Sequence, residues 1–253
     1  MSNNRIVLLA QAGTSTNILF HAINAINPIE SVILEKAESK YKFIQRRINR
    51  LGYLTVMGQL AFMAFQRVFL KPRSRGRRQR IIMDNGLCAD PIPEDRITSV
   101  SSCNSEDCRV LLKAIDPALV LINGTRIISK KTIQSSGCPL INIHAGITPK
   151  YRGVHGGYWA LRNGEPQLCG VSLHVIDEGI DTGAVIDQAL ISPSDTDSFL
   201  TYPLLQLSKG LELLKNHLPD LLIGRVTIKQ PLTNESALWY HPTLWSFLSH
   251  KVK

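Results

Sequence analysis

Short apolar runs alternate with helical stripes along most of the chain. Residues 5–10 (RIVLLA) read as a strand, and residues 16–26 carry Ile18, Leu19, Ala22, Ile23 and Ile26 at helical spacing. Residues 31–35 (SVILE) predict a second strand, 107–115 a helix, and 118–124 (ALVLING) the strand that follows it. Further on, 139–144 (PLINIH) reads as a strand and 156–164 (GGYWALRNG) as a helix stopped at Gly164. Two more strands are expected at 170–177 (GVSLHVID) and 184–191 (AVIDQALI). Strand and helix in alternation predict an α/β protein with a doubly wound, mostly parallel, Rossmann-like sheet. In such sheets reactive groups gather beyond the carboxyl ends of the strands.

Residues 35–80 break the rhythm. The stretch YKFIQRRINRL puts Ile44, Ile48 and Leu51 on one helical face and Lys/Arg on the other, and residues 53–70 are strongly apolar. Residues 71–80 (KPRSRGRRQR) then hold six basic residues. The segment is read as a helical insertion with a solvated basic loop. The sharper alternative is a helix resting on an anionic membrane, since two Gln and an Arg count against spanning. A nucleic-acid arm is the least favoured reading. Beyond residue 200, the run 199–218 predicts a helix bent near Pro203, 225–230 (RVTIKQ) a strand, and LWYHPTLWSFL an aromatic cap.

The net charge of +9 suggests a polyanionic partner until it is located. Residues 35–80 hold 13 Lys/Arg and two acids, so the rest of the surface is close to neutral. The start, MSNNRIVLLAQAG, passes from polar residues into a first strand and shows no leader pattern, so a cytoplasmic protein is expected. Five scattered cysteines without CxxC spacing are expected to be reduced thiols.

The candidate chemistry begins in INIHAGITPKYRG, residues 141–153. Asn142 and His144 lie two apart and share one face of a strand end. Two core residues satisfied by hydrogen bonds would look the same. A second polar element follows the strand of His174, where the turn from Asp177 to Gly183 carries three carboxylates and two glycines. Acidic turns are common, and only the combination is specific.

That combination resembles the folate-dependent formyltransferases over about residues 139–188. Their signature is Asn-x-His at a strand end, a Thr-Pro-x-aromatic-basic-Gly loop, and a later Ile-Asp-Thr/Gly-Gly turn. This chain has Asn142-Ile143-His144, then Thr148-Pro149-Lys150-Tyr151-Arg152-Gly153, then Ile180-Asp181-Thr182-Gly183. The resemblance implies that Asn142, His144 and Asp181 form a catalytic trio. It implies that Gly124, Arg126 and Ile127 of LINGTRII, with Val175, Asp177 and Gly179, bind N10-formyltetrahydrofolate, with no metal. The loop QAGTSTNIL, through Gly13, Thr14, Ser15 and Asn17, would hold an acceptor phosphate, and His174, on the strand before the Asp181 turn, would also bind the acceptor. A strand-to-helix turn capped by Ser15 or Thr16 explains that loop equally well.

On this reading residues 1–200 form the catalytic domain, with its insertion at 35–80, and residues 201–253 a helical and aromatic extension. The expected reaction is formyl transfer to the amine of a small phosphorylated or nucleotide-linked acceptor, an amino sugar foremost. Phosphoribosylglycinamide and methionyl-tRNA are the alternative acceptors, followed by hydrolysis of the formyl folate and by a non-catalytic membrane- or RNA-binding role. Acyl transfer wants donors where charge develops and a group that moves a proton. An amide, an imidazole and a carboxylate suit those tasks.

Overall fold

The structure is a computed structural model of the chain, and it describes residues 4–249. Met1–Asn3 of the polar start and His250 with the last three residues lie outside that range. The elements run β1 (Ile6–Ala10), α1 (Thr14–Asn24), β2 (Ile29–Glu35), α2 (Lys40–Leu51), α3 (Tyr53–Phe65) and α4 (Lys71–Asp84). There follow β3 (Ile97–Val100), α5 (Glu106–Ile115), β4 (Leu119–Asn123), α6 (Lys130–Ser136) and β5 (Leu140–His144). The chain ends through β6 (Arg152–Gly153), α7 (Gly156–Arg162), β7 (Gly170–Val175), β8 (Val185–Leu190), α8 (Tyr202–Leu222), β9 (Leu238–Trp239) and α9 (Leu244–Leu248).

Seven strands form one sheet in the order β3-β2-β1-β4-β5-β7-β8. The first five run parallel, and β7 and β8 are antiparallel additions. The fully buried runs of β1 and β4 follow from helices covering both faces. One core layer joins Leu8, Leu121 and Leu173 to Leu207, Leu211 and Leu214 of α8. The opposite layer joins Val7, Leu9 and Val120 to Leu112 of α5. The strand order reverses at β1, so the loops leaving β1 and β4 run to opposite faces of the sheet, the arrangement beside which doubly wound sheets bind ligands.

Several expectations need correction. Residues 71–80 are not a loop: they continue as α4, joined to α3 through a π-helical turn at Gln66–Leu70. Pro72 follows directly on that π-helical turn, where the regular α-helical ladder is already interrupted, so its missing N–H is accommodated inside the continuous helix. Pro203 likewise sits in the first turn of α8 and does not bend it. α8 contributes a row of leucines to the main core, so it is not an appendage. Residues 225–230 form no strand; Lys229 N–H donates to the Val185 carbonyl at 2.8 Å and the segment only skirts the sheet edge. The insertion begins after Glu35, which is itself the buried last residue of β2. β3 and α6 escape a hydrophobic reading because they are short and half polar. Trp159 is only partly buried and stacks on Trp239 at 4.8 Å, in the aromatic cap expected of the tail.

Candidate active site

Strand register builds the site. β5 and β7 pair antiparallel with Asn142 opposite His174 and His144 opposite Ser172. The turn after β7 then carries Asp181 back to them. Asp181 Oδ2 lies 3.3 Å from His144 Nδ1, and its Oδ1 lies 3.6 Å from His174 Nε2. Asn142 Nδ2 is 3.2 Å from the same His174 nitrogen. The structure therefore brings Asn142, His144 and Asp181 together and adds His174 behind them.

The signature loop is the scaffold of this cluster. Gly153 N–H donates to Asp181 Oδ2 at 2.9 Å, and Arg152 Nη1 donates to the Ile180 carbonyl at 3.2 Å. Together they hold Asp181 in the left-handed region at φ +50°, a conformation that costs a non-glycine residue about 1–3 kcal/mol. Gly153 has φ +93°, which any other residue would resist. Lys150 pairs with Glu165 at 2.7 Å and Tyr151 donates its hydroxyl to the same carboxylate. At Gly146 a side chain would strike the Tyr151 carbonyl at 2.3 Å, so only glycine lets the loop close over His144. Ser172 completes the fastening: it donates to the Gly146 carbonyl at 2.8 Å and accepts from Thr148 N–H at 3.0 Å.

The electrostatics divide the cluster into a front and a back. His144 is 6% exposed, and both ring nitrogens face acceptors, Asp181 at Nδ1 and the Tyr151 carbonyl 2.8 Å from Nε2. Burial lowers its proton affinity below that of an ordinary histidine, while Asp181 pulls it upward. Burial would raise the Asp181 carboxyl, but His144, His174 and the Gly153 N–H outweigh it and hold the pKa at about 2. Near neutral pH the pair is thus a carboxylate and a neutral imidazole. A neutral ring can donate to only one of its two acceptors, whereas an imidazolium would satisfy both. The pair is one proton short of full hydrogen bonding.

Asn142 is half-buried, and no protein group among the described residues takes its side-chain carbonyl oxygen. His174, on β7 before the Asp181 turn, is 1% exposed and stands behind Asn142, with Nδ1 on the Val175 carbonyl at 2.9 Å.

The other predicted residues fall on the loops around this rim. Gly124 has φ +68° with open space where a side chain would project, and Ile127 beside it is 54% exposed. Arg126 is fixed: its N–H donates to Glu35 Oε1 at 2.6 Å and its guanidinium to the carbonyls of Lys36 and Ser101. Asp177 accepts from Gly179 N–H and Thr182 Oγ1, which closes its turn below Val175. Gly13 precedes α1, Thr14 and Ser15 open it, and Ser15 accepts from Asn123 at 3.0 Å. Neither Ser15 nor Thr16 caps the helix: no side chain does, and Thr16 donates back to the Gln11 carbonyl. Asn17 is spent on the Ala89 carbonyl at 3.2 Å.

Glu35 is the residue sequence reasoning missed. Its buried carboxylate accepts from Gln11 after β1, from Cys103 N–H after β3 and from Arg126 N–H after β4, tying three strand ends together. A lone acid ending the apolar run SVILE was the available signal.

A doubly wound sheet with an amide, an imidazole and a carboxylate at its carboxyl edge is the formyltransferase variant of the Rossmann-like fold. The chain belongs to the formyl transferase family, whose model matches residues 70–209. The methionyl-tRNA formyltransferase of Thermodesulfovibrio yellowstonii is 37% identical over 135 residues, 53% of this chain and 42% of that protein. The chain spans less than half the length of the methionyl-tRNA formyltransferases it matches. The solved phosphoribosylglycinamide formyltransferase of Anaplasma phagocytophilum superposes with a TM-score of 0.58 at 17% identity, over 92% of this chain and 97% of that one. A sugar N-formyltransferase from a Shewanella species gives 0.55 at 18% identity, over 91% and 74%. At such identities the likeness is one of fold.

Proposed function

We propose that this chain moves the formyl group of N10-formyltetrahydrofolate to the amine of a small phosphorylated or nucleotide-linked acceptor, an amino sugar foremost. The observation that carries the reading is Asp181 set 3.3 Å from His144 beside Asn142 at the rim of the sheet. The folate supplies an activated formyl group; the chain supplies position, charge and a place for a proton. Asn142 donates an amide N–H to the formyl oxygen as negative charge builds there, which is worth on the order of 3 kcal/mol. Asp181 faces the rim and accepts the proton of the attacking amine. A carboxyl with a pKa of about 2 keeps no proton at neutral pH, so the charge settles on His144, where Asp181 and the Tyr151 carbonyl both accept. The pair then gives that proton to N10 of the folate as the bond from the formyl carbon to N10 breaks, so the formylated amine and tetrahydrofolate leave and the pair is restored. Assistance of this kind is worth about 10² to 10⁴ in rate.

The loops fit a folate. Open space at Gly124 lets a flat ring approach the backbone, Ile127 offers it apolar surface, and Glu35 keeps Arg126 from drifting. On the acceptor side, the first N–H groups of α1 have no helical partners and point toward the loop after β1. They suit a phosphate, with Gly13, Thr14 and Ser15 around it.

The test is incubation of purified protein with N10-formyltetrahydrofolate and, in separate vessels, a nucleotide-linked amino sugar, phosphoribosylglycinamide, methionyl-tRNA, or no amine. A formylated amine in the first vessel, read by mass spectrometry, supports the reading. Formylation confined to the second or third vessel overturns the acceptor and keeps the reaction. Folate release at full rate without any amine makes the chain a hydrolase.

A further inference from the structure

The segments α3 and α4 form one helix of 32 residues, Tyr53–Asp84, and its two sides differ sharply. One side is bolted down. Val56, Gly58, Gln59 and Phe62 are buried, and a side chain at Gly58 would meet the Trp245 ring at 2.2 Å. Gln59 Nε2 donates to the His241 carbonyl at 2.7 Å, and Phe62 packs on Phe199 and Phe247. At the far end Arg77 grips Asp197 through two bonds of 2.8 and 3.0 Å.

The other side is bare. Leu54 is 76% exposed, Tyr53 and Val68 61%, Met63 51%, Phe69 47% and Met57 44%, against a core where such side chains are hidden. Tyr53, Met57, Ala61, Ala64 and Val68 recur every three or four residues, so they form one stripe along the helix. Cations follow the stripe: Arg67, Lys71, Arg73, Arg75 and Arg80 are exposed and take part in no ion pair among the described residues. From Ser39 to Met83 there are twelve Lys/Arg and no acid, so nothing within the segment neutralises them.

We propose that this face rests on an anionic lipid bilayer, with the stripe in the interface and the basic turn of α4 against the headgroups. Three features select that occupant. The helix does not span: its apolar stretch of 18 residues reaches about 27 Å, and insertion would tear its buried side from Trp245, Phe199 and Phe247. A second copy pairing through the same face would set one row of cations against another with no acid between them. Nucleic acid would satisfy the cations and leave Leu54, Met57 and Val68 in water. The face is also mechanically joined to the cleft. α3 holds the segment at His241, β9 just before it pairs with Arg152–Gly153, and the Gly153 N–H is on Asp181. Docking thereby fixes how the cleft presents to the membrane. The inference stands whether or not formyl transfer is the reaction.

The experiment is co-sedimentation of the purified chain with vesicles of phosphatidylcholine alone and of phosphatidylcholine with phosphatidylglycerol. Binding is expected to the anionic vesicles only and to weaken at high salt. The pair Leu54→Glu with Val68→Glu is expected to abolish it, Val68→Leu to keep it, and each of Arg73→Gln and Arg75→Gln to weaken it about fivefold. All four positions are solvent-facing, so thermal unfolding should be unchanged and loss of binding can be told from loss of fold. Equal pelleting with both vesicle types, or anionic binding that survives the glutamates, overturns the proposal. So does a lipid-free dimer in sedimentation velocity that the glutamates dissolve, or RNA binding in place of vesicle binding.

Discussion

The cleft and the insertion depart from the usual partition of side chains in opposite directions. In the cleft, ionisable groups are taken out of water: Asp181, His144, His174 and Glu35 are withdrawn and each faces hydrogen-bond partners. In the insertion, apolar bulk is left in water and cations are left without acids. Buried ionisable groups persist where a reaction needs their strength, because an unmatched one is costly. Exposed apolar stripes persist where another surface covers them. The difference teaches that the two regions face different partners, a small reactant in one and an extended surface in the other. It also predicts that damage to one leaves the other working.

The largest expected effect is at Asp181. Asp181→Asn keeps the shape of the turn but removes the charge beside His144, and turnover in single-turnover formyl transfer should fall about 10³-fold or more. A smaller fall, about 10², is expected of Asn142→Ala, which removes one preorganised donor. Both variants should sediment with anionic vesicles as the wild type does. Failure of either to bind would join the regions that the comparison separates.

Acid should act next, and at the seam between the two regions. His155 Nε2 and His241 Nδ1 lie 2.8 Å apart beside α3, and burial, with Arg47 nearby, pushes their pKa values down to about 3 and about 4. Both lie below the ordinary value of 6.5. From pH 6.5 down toward pH 4 the unfolded chain therefore binds more protons than the folded one, and stability drops as pH falls. Each group is expected to cost on the order of 1–2 kcal/mol at pH 5. Urea unfolding at pH 7 and pH 5 reads this loss, and His155→Asn with His241→Gln should flatten it.

The smallest effect is on stability at Leu54 and Val68. Charged replacements there should change unfolding free energy by no more than about 0.5 kcal/mol, because both side chains already face solvent.

Much of the parallel half of the sheet was legible because β1 and β4 are continuous apolar runs flanked by turn residues. Asn142 and His144 were legible from their two-residue spacing, and Asp181 from its turn. What escaped was whatever depends on partners far away in sequence. Nothing in KPRSRGRRQR favours helix over loop until Asp197, some 120 residues later, grips Arg77. RVTIKQ alternates as a strand should but meets only the sheet edge at Lys229. Glu35 looked like the first residue of an insertion, and only the fold brings Gln11, Cys103 and Arg126 to it. The neutral state of His144 was equally out of reach, since it follows from burial and not from any neighbour in the chain.

Formyl transfer by wild type and Asp181→Asn, measured side by side on whichever amine the wild type formylates, bears most directly on the claim that the Asp181–His144 pair takes up the proton of the reaction. The wild type is expected to yield formylated product and the variant about a thousandth of that rate or less, with an unchanged unfolding profile. A folded Asp181→Asn protein that formylates the amine at close to the wild-type rate would contradict it.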